Sequence, residues 1–221
     1  MNHTELEIRL RETGVVPVVT IRDAADAPAL GRALAGGGLP VAEITFRTEA
    51  AVAAIDLLRR HCPEVLVGAG TVLDVPTLHR AVDAGAHFAV APGFNPAVVD
   101  AALELGIPVI PGVSSPTDIE AAMARNIGLV KFFPAEAAGG LPFLKAVSAP
   151  YRAVSFMPTG GITPTNLPEY LAQPFVTACG GSWIATEKAI TKKRFDDIAA
   201  AAAAAAAQAG GVRRPTEART A

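Results

Sequence analysis

Residues 128–136, GLVKFFPAE, set one lysine in the middle of an apolar run bounded by glycine and proline. A run this short with such flanks reads as a β-strand covered on both faces, since buried helices of similar hydrophobicity run longer. Side chains alternate across a strand, so Leu129, Lys131 and Phe133 share one face while Val130 and Phe132 share the other. Residues 41–47, VAEITFR, repeat the arrangement, with Glu43, Thr45 and Arg47 opposite Ala42, Ile44 and Phe46. In both strands one face is wholly apolar, as packing against helices demands. The opposite face carries a carboxylate, an ammonium and a guanidinium, and in a closed barrel that face is the interior.

Working outward, eight strand-like runs recur along the chain. They are VVPVV (15–19), VAEITF (41–46), VLVGAGTV (65–72), HFAVAP (87–92), IPVIPGV (107–113), GLVKFFP (128–134), AVSFMPTGG (153–161) and FVTACGG (175–181). Helical segments separate them, including 23–36, 48–60, 74–84, 95–105 and 116–125, each long enough for a right-handed crossover between parallel strands. Capping residues mark several helix starts: Asp74, Asn95, Ser115 and Thr163, each beside or one residue from a proline. A further helix precedes the first strand. The expectation is a single-domain α/β fold, a (β/α)8 TIM barrel with an N-terminal helix, over residues 1–209. An open doubly wound sheet is the main alternative; it ordinarily places a glycine fingerprint after its first strand, where this chain has TIRDAADA. The nine alanines at 199–207 extend the last helix, and residues 210–221 read as a disordered tail.

Composition narrows the functional classes. Over 221 residues, 51% are hydrophobic and 18% charged, with a formal net charge of -2. That balance supports one large core and offers no basic face for nucleic acid. The charged N-terminus lacks the apolar core of a signal peptide, and no uninterrupted stretch is long enough to span a bilayer, so a soluble cytoplasmic protein with no membrane partner is expected. Cys62 and Cys179 lie far apart without metal-type spacing, which suits reduced thiols. His3, His61, His79 and His87 show no ligand spacing either and are assigned solvated or capping roles; no metal is expected.

Lys131 is the outstanding candidate for chemistry. Only five of the 19 basic residues are lysine, so a chain that generally uses arginine places at 131 the one cation able to lose its proton and attack a ketone. An inert interior salt bridge with Glu43 explains the same pattern, because ion-pair networks also bury charge. Two glycine clusters add to the chemical reading. PTGGIT (158–163) and CGGSW (179–183) follow the seventh and eighth runs, where barrels most often bind phosphate through backbone amides. GAGTV (68–72) and APGFNP (91–96) bring Thr71 and Pro92 to adjacent strand ends.

Taken together, VAEITFRT, VGAGTVL, VAPGFNP, IPGVSSPTDI, VKFFPAE, PTGGIT and GGSWI resemble the 2-keto-3-deoxy-6-phosphogluconate (KDPG) aldolase family, also known for 4-hydroxy-2-oxoglutarate (KHG) aldolase activity. The resemblance spans residues 5–200. It implies a class I, cofactor-free aldolase that splits the phosphorylated ketoacid into pyruvate and glyceraldehyde 3-phosphate, as a cytoplasmic homotrimer. On matching positions it makes Lys131 the Schiff-base lysine and Glu43 the general acid/base. It gives Arg47 and Thr71 to the pyruvate carboxylate, Pro92 and Phe133 to the pocket wall, and Gly160, Gly161, Gly181 and Ser182 to the phosphate. The alternatives at this point are the galactonate epimer as substrate, or a sugar-phosphate isomerase or epimerase in which Lys131 merely supplies charge.

Overall fold

A computed structural model describes residues 1–212. The chain opens with α1 (His3–Thr13), closed at its start by a reciprocal capping box between Asn2 and Glu5 and at its end by Gly14 in the left-handed region, φ 68°. Then come β1 (Val15–Val19), a 3-10 turn (Ala24–Asp26), α2 (Ala27–Gly36), β2 (Val41–Thr45), α3 (Ala51–His61), β3 (Leu66–Gly70), α4 (Val75–Asp83), β4 (Phe88–Val90) and α5 (Pro96–Glu104). The second half runs β5 (Val109–Ile110), β6 (Gly112–Val113), α6 (Pro116–Met123), β7 (Leu129–Phe132), α7 (Gly140–Ser148), β8 (Ser155–Phe156), α8 (Leu167–Leu171), β9 (Cys179–Gly181), α9 (Glu187–Thr191) and α10 (Phe195–Gly211).

All strand pairs are parallel, in a six-stranded sheet ordered β5-β4-β3-β2-β1-β9 and a three-stranded sheet ordered β6-β7-β8. The fold is therefore α/β with strand–helix alternation and the expected N-terminal helix. The fifth run, 107–113, is not one strand: Pro111 has no amide to give a ladder and divides it into β5 and β6, each in its own sheet. Isolated parallel bridges link Phe156 to Val176 and Thr159 to Gly180.

Two apolar layers follow from the period-two alternation. Ala42, Ile44, Val67, Ala69, Val130 and Phe132 pack with the helices in one cluster. Val41, Leu66, Phe88, Val90, Ile110, Leu129, Met157 and Ala178 form the other cluster with Leu6 and Leu10 of α1. Helix α1 thus supplies apolar cover to the strand face that carries, two residues farther along, Glu43 and Lys131. Each of the two leucines is essentially unexposed, a burial that contributes roughly 2 kcal/mol per side chain.

Several local expectations shift. Asp74, Asn95 and Ser115 do cap their helices, accepting from the amides of Thr77, Ala97 and Asp118. Thr163 does not start a helix; its amide and hydroxyl bond to Asn166 Oδ1, and α8 begins only after Asn166. Helix α10 includes Gly210 and Gly211, past the point where the tail was expected to begin, and residues 213–221 lie outside the described residues. His3 and His87 are half-buried rather than solvated: His3 Nε2 accepts from the Val109 amide at 3.2 Å and His87 Nδ1 from the Val67 amide at 2.9 Å.

Candidate active site

Strands β2 and β7 carry the central pair. Lys131 Nζ donates to Glu43 Oε1 at 3.2 Å, with only 6% and 1% of the two side chains exposed. Neither charge reaches water, so each depends on the other to offset its lost hydration. Yet the pair is incomplete. Glu43 Oε2 is fully buried and has no hydrogen-bond partner among the described residues. Most buried polar atoms are paired, so the unmet oxygen leaves Glu43 able to accept one further hydrogen bond beside the buried amine.

Room for the carboxylate comes from β3. A Cβ at Gly70 would run into the Glu43 carboxylate, and one at Gly68 into the Phe88 ring. The glycines of the GAG segment thus leave space for neighbouring side chains to lie over the strand. Phe133 stands on the other side of the amine, its ring centroid 5.4 Å from Nζ, within cation–π range. Thr45, next on the Glu43 face, is engaged structurally: its hydroxyl donates to Val19 O at 2.9 Å and lies 3.1 Å from the Thr20 hydroxyl.

The other expected residues gather at the C-terminal edge of the strands. Arg47 lies two residues past β2, exposed and without an ion pair among the described residues. Thr71 directly follows β3 with φ 59°, a left-handed conformation that a β-branched residue rarely adopts and that costs about 1–3 kcal/mol. Pro92, two residues past β4, lines a cleft of about 230 Å³ with Val72, Leu73 and Phe94. Lys131 meets both Glu43 and Phe133, whereas Arg47, Thr71 and Pro92 occupy neighbouring strand ends.

The two glycine loops are adjacent. The Thr159–Gly180 bridge sets Gly160 and Gly161 beside Gly181 and Ser182. Gly160 and Gly161 have φ values of 96° and 82°. Their carbonyls are both occupied, by the Glu136 amide at 3.0 Å and by Asn166 Nδ2 at 3.1 Å. Neither of their amides donates to an acceptor among the described residues. Consecutive uncommitted amides beside left-handed glycines make a concavity suited to an anion. Gly181 is buried under the Trp183 ring, with no room for a side chain, and Ser182 is exposed. Among the described residues no group of three or more His, Cys, Asp or Glu side chains could hold a metal ion, and no helix is long and apolar enough to cross a membrane.

Sequence reasoning missed Gly70, Thr20, Asn166 and Tyr170, and gave Glu136 only a capping or salt-bridging part, whereas its carboxylate accepts from the Tyr170 hydroxyl. Glycine inside a strand pattern was a usable signal for Gly70. The others act through contacts that no local pattern announces.

A model of the family described as KDPG and KHG aldolase matches residues 6–201. The chain is 49% identical, over 86% of its length and 90% of the relative's, to a 2-dehydro-3-deoxy-phosphogluconate aldolase of Treponema pallidum. Among solved structures, a Legionella pneumophila KDPG aldolase with pyruvate captured as a covalent carbinolamine superposes with a TM-score of 0.87 at 41% identity, covering 90% of this chain and 97% of that one. A Zymomonas mobilis aldolase of the same name, solved with 3-phosphoglycerate, gives 0.87 at 37% identity, covering 98% and 100%.

Proposed function

The chain belongs to the KDPG and KHG aldolase family, and from that premise we propose that it is a class I aldolase cleaving 2-keto-3-deoxy-6-phosphogluconate to pyruvate and glyceraldehyde 3-phosphate. The observation that carries the reading is the buried Lys131–Glu43 contact with its one unmet carboxylate oxygen. Glu43 takes a proton from the Lys131 ammonium, and the freed amine adds to the C2 ketone to give a carbinolamine. Glu43 returns that proton to the departing C2 hydroxyl, so loss of water leaves a protonated imine and an ionised carboxylate once more; the imine is an electron sink made from the protein itself, and the chemistry calls for no cofactor. Glu43 then accepts the C4 hydroxyl proton as the C3–C4 bond breaks, releasing the aldehyde and leaving an enamine. The same carboxyl returns a proton to C3, and hydrolysis frees pyruvate and Lys131.

Arg47 and Thr71 receive the pyruvate carboxylate, Arg47 through its two-pronged guanidinium. Pro92 and Phe133 flank the reacting carbons. The uncommitted amides of Gly160 and Gly161, with Gly181 and Ser182, bind the phosphate. We read the two sheets as arcs of one (β/α)8 barrel in a single domain, a reading supported by the unbroken chain from β5 through Pro111 to β6 and by the bridges from β8 and Thr159 to Val176 and Gly180. A homotrimer in the cytoplasm completes the proposal.

Family membership decides against an isomerase or epimerase, leaving 4-hydroxy-2-oxoglutarate and the galactonate epimer as competing lyase substrates. Steady-state pyruvate release tests the assignment. The gluconate-derived phosphorylated ketoacid is expected to have the highest kcat/KM of the three. Lys131→Arg, which keeps the charge but forms no imine, is expected to abolish release; substantial aldolase activity in that variant would contradict the assignment.

A further inference from the structure

Glu136 and Tyr170 take no part in the chemistry above, yet they meet against the back of the glycine loop. Glu136 lies just beyond β7 at an exposed position, and its amide donates to Gly160 O at 3.0 Å. Its side chain lies against Gly161 so closely that a Cβ on the glycine would strike the Glu136 Cβ and Cγ. One carboxylate oxygen of Glu136 accepts a hydrogen bond from the Tyr170 hydroxyl. Tyr170, on α8, is 1% exposed, so its ring is fixed by packing. On the other flank, Asn166 holds Gly161 O through Nδ2 while its Oδ1 accepts from the Thr163 amide at 2.8 Å.

We propose that Tyr170 and Glu136 are positioning residues for the phosphate end of the substrate: the buried phenol clamps Glu136, and Glu136 clamps the Gly160–Gly161 turn so that its two amides face outward together. The inference rests on the phosphate reading of that loop. Two glycines at positive φ have more conformational freedom to lose than any other pair, so an anion site built from them needs an outside brace to be organised before binding. The clamp also constrains the carboxylate. The oxygen engaged by Tyr170 is held in one place. Burial, and then the bond to Glu136, push the Tyr170 phenol above its ordinary range, so it stays protonated and remains a donor at neutral pH.

Tyr170→Phe removes one hydroxyl and keeps the ring. The expected result is a KM for the phosphorylated ketoacid raised about tenfold with kcat within about twofold, the scale of one lost charge-assisted hydrogen bond expressed in binding. KM for unphosphorylated 4-hydroxy-2-oxoglutarate and borohydride trapping of pyruvate stay at wild-type level. Glu136→Ala, at an exposed position where truncation leaves the core intact, gives the same split. Glu136→Gln retains an acceptor oxygen for Tyr170 and restores a near wild-type KM. Equal losses on both substrates, or an unchanged KM for the phosphorylated one, would overturn the brace while leaving the phosphate site standing. A wild-type enzyme with the same KM for both substrates, and no competition by inorganic phosphate, would overturn the phosphate reading and the brace with it.

Discussion

Glu43 presents two oxygens with unequal duties: Oε1 is held by Lys131 at 3.2 Å and Oε2 is unmet. On the proposed mechanism, this asymmetry is what would let one carboxyl serve several proton transfers without leaving its place. Glu43→Gln retains the shape but cannot accept a proton, so it is expected to trap pyruvate on borohydride reduction while cleaving substrate at least ~100-fold more slowly. Near-normal cleavage would remove Glu43 from the acid/base role. Gly70 matters because of what it leaves out. Gly70→Ala forces a methyl into the Glu43 carboxylate and is expected to lower kcat at least ~10-fold, with the fold retained as judged by circular dichroism. Full activity would mean that Glu43 works from another position. The alternation of VAEITFR and LVKFF was enough to pair Glu43 with Lys131 from sequence, because period two is a property of the backbone. It could not reveal Gly70, Tyr170 or Glu136, whose partners are set by how strands and helices meet. Tyr170 and Glu136 are 34 residues apart and share no pattern.

At the scale of elements, helix starts were legible where a side chain bonds to its own backbone within three residues. Asp74, Asn95 and Ser115 satisfy that condition. Thr163 makes the same kind of bond, its hydroxyl accepting from the Asn166 amide at 3.4 Å while its own amide donates to Asn166 Oδ1, yet the three residues after it form a turn and α8 begins at Leu167, so the capping signal marked a turn rather than a helix start. Strand lengths were overread for the same kind of reason. The run at 153–161 contributes only Ser155–Phe156, since Pro158 lacks an amide and Gly160–Gly161 turn the chain away. His87 ties the start of β4 to β3 through an acceptor nitrogen that must be unprotonated. Burial, helped by the charges of Arg59 and Arg9, lowers its pKa from 6.5 to about 4. Between those values the unfolded chain binds a proton that the folded chain refuses, so this histidine makes stability fall as pH drops from about 6.5 towards 4. The His87→Asn variant keeps an acceptor for the Val67 amide and has no proton to gain. Its urea midpoint is expected to change less than that of the wild type between pH 6.5 and 5; an identical slope would show that His87 does not set the acid response.

Across the whole molecule, residues from distant parts of the chain converge because parallel strands deliver their C-terminal ends to one edge. Glu43 and Lys131 are 88 residues apart, Thr71, Pro92 and Gly160 follow three further strands, and Gly181 ends a fourth. Alternation of strands and helices was readable in the sequence because each unit carries its own turn and cap signals. The division into two hydrogen-bonded sheets was not, because it turns on one proline at 111 within an otherwise favourable strand. The charge-bearing face is apolar at its α1 end and carries the buried ion pair two residues farther along, so packing and charge are laid out along the same strands. Which of the five lysines becomes bonded to substrate is therefore a question about the intact protein. Wild-type enzyme incubated with pyruvate, reduced with borohydride and digested for peptide mass mapping answers it most directly. The account predicts a reduced pyruvate adduct on the peptide containing Lys131 and on no other lysine, absent when pyruvate or borohydride is omitted. An unmodified Lys131 peptide, or an adduct carried by Lys145, Lys188, Lys192 or Lys193 instead, would contradict it.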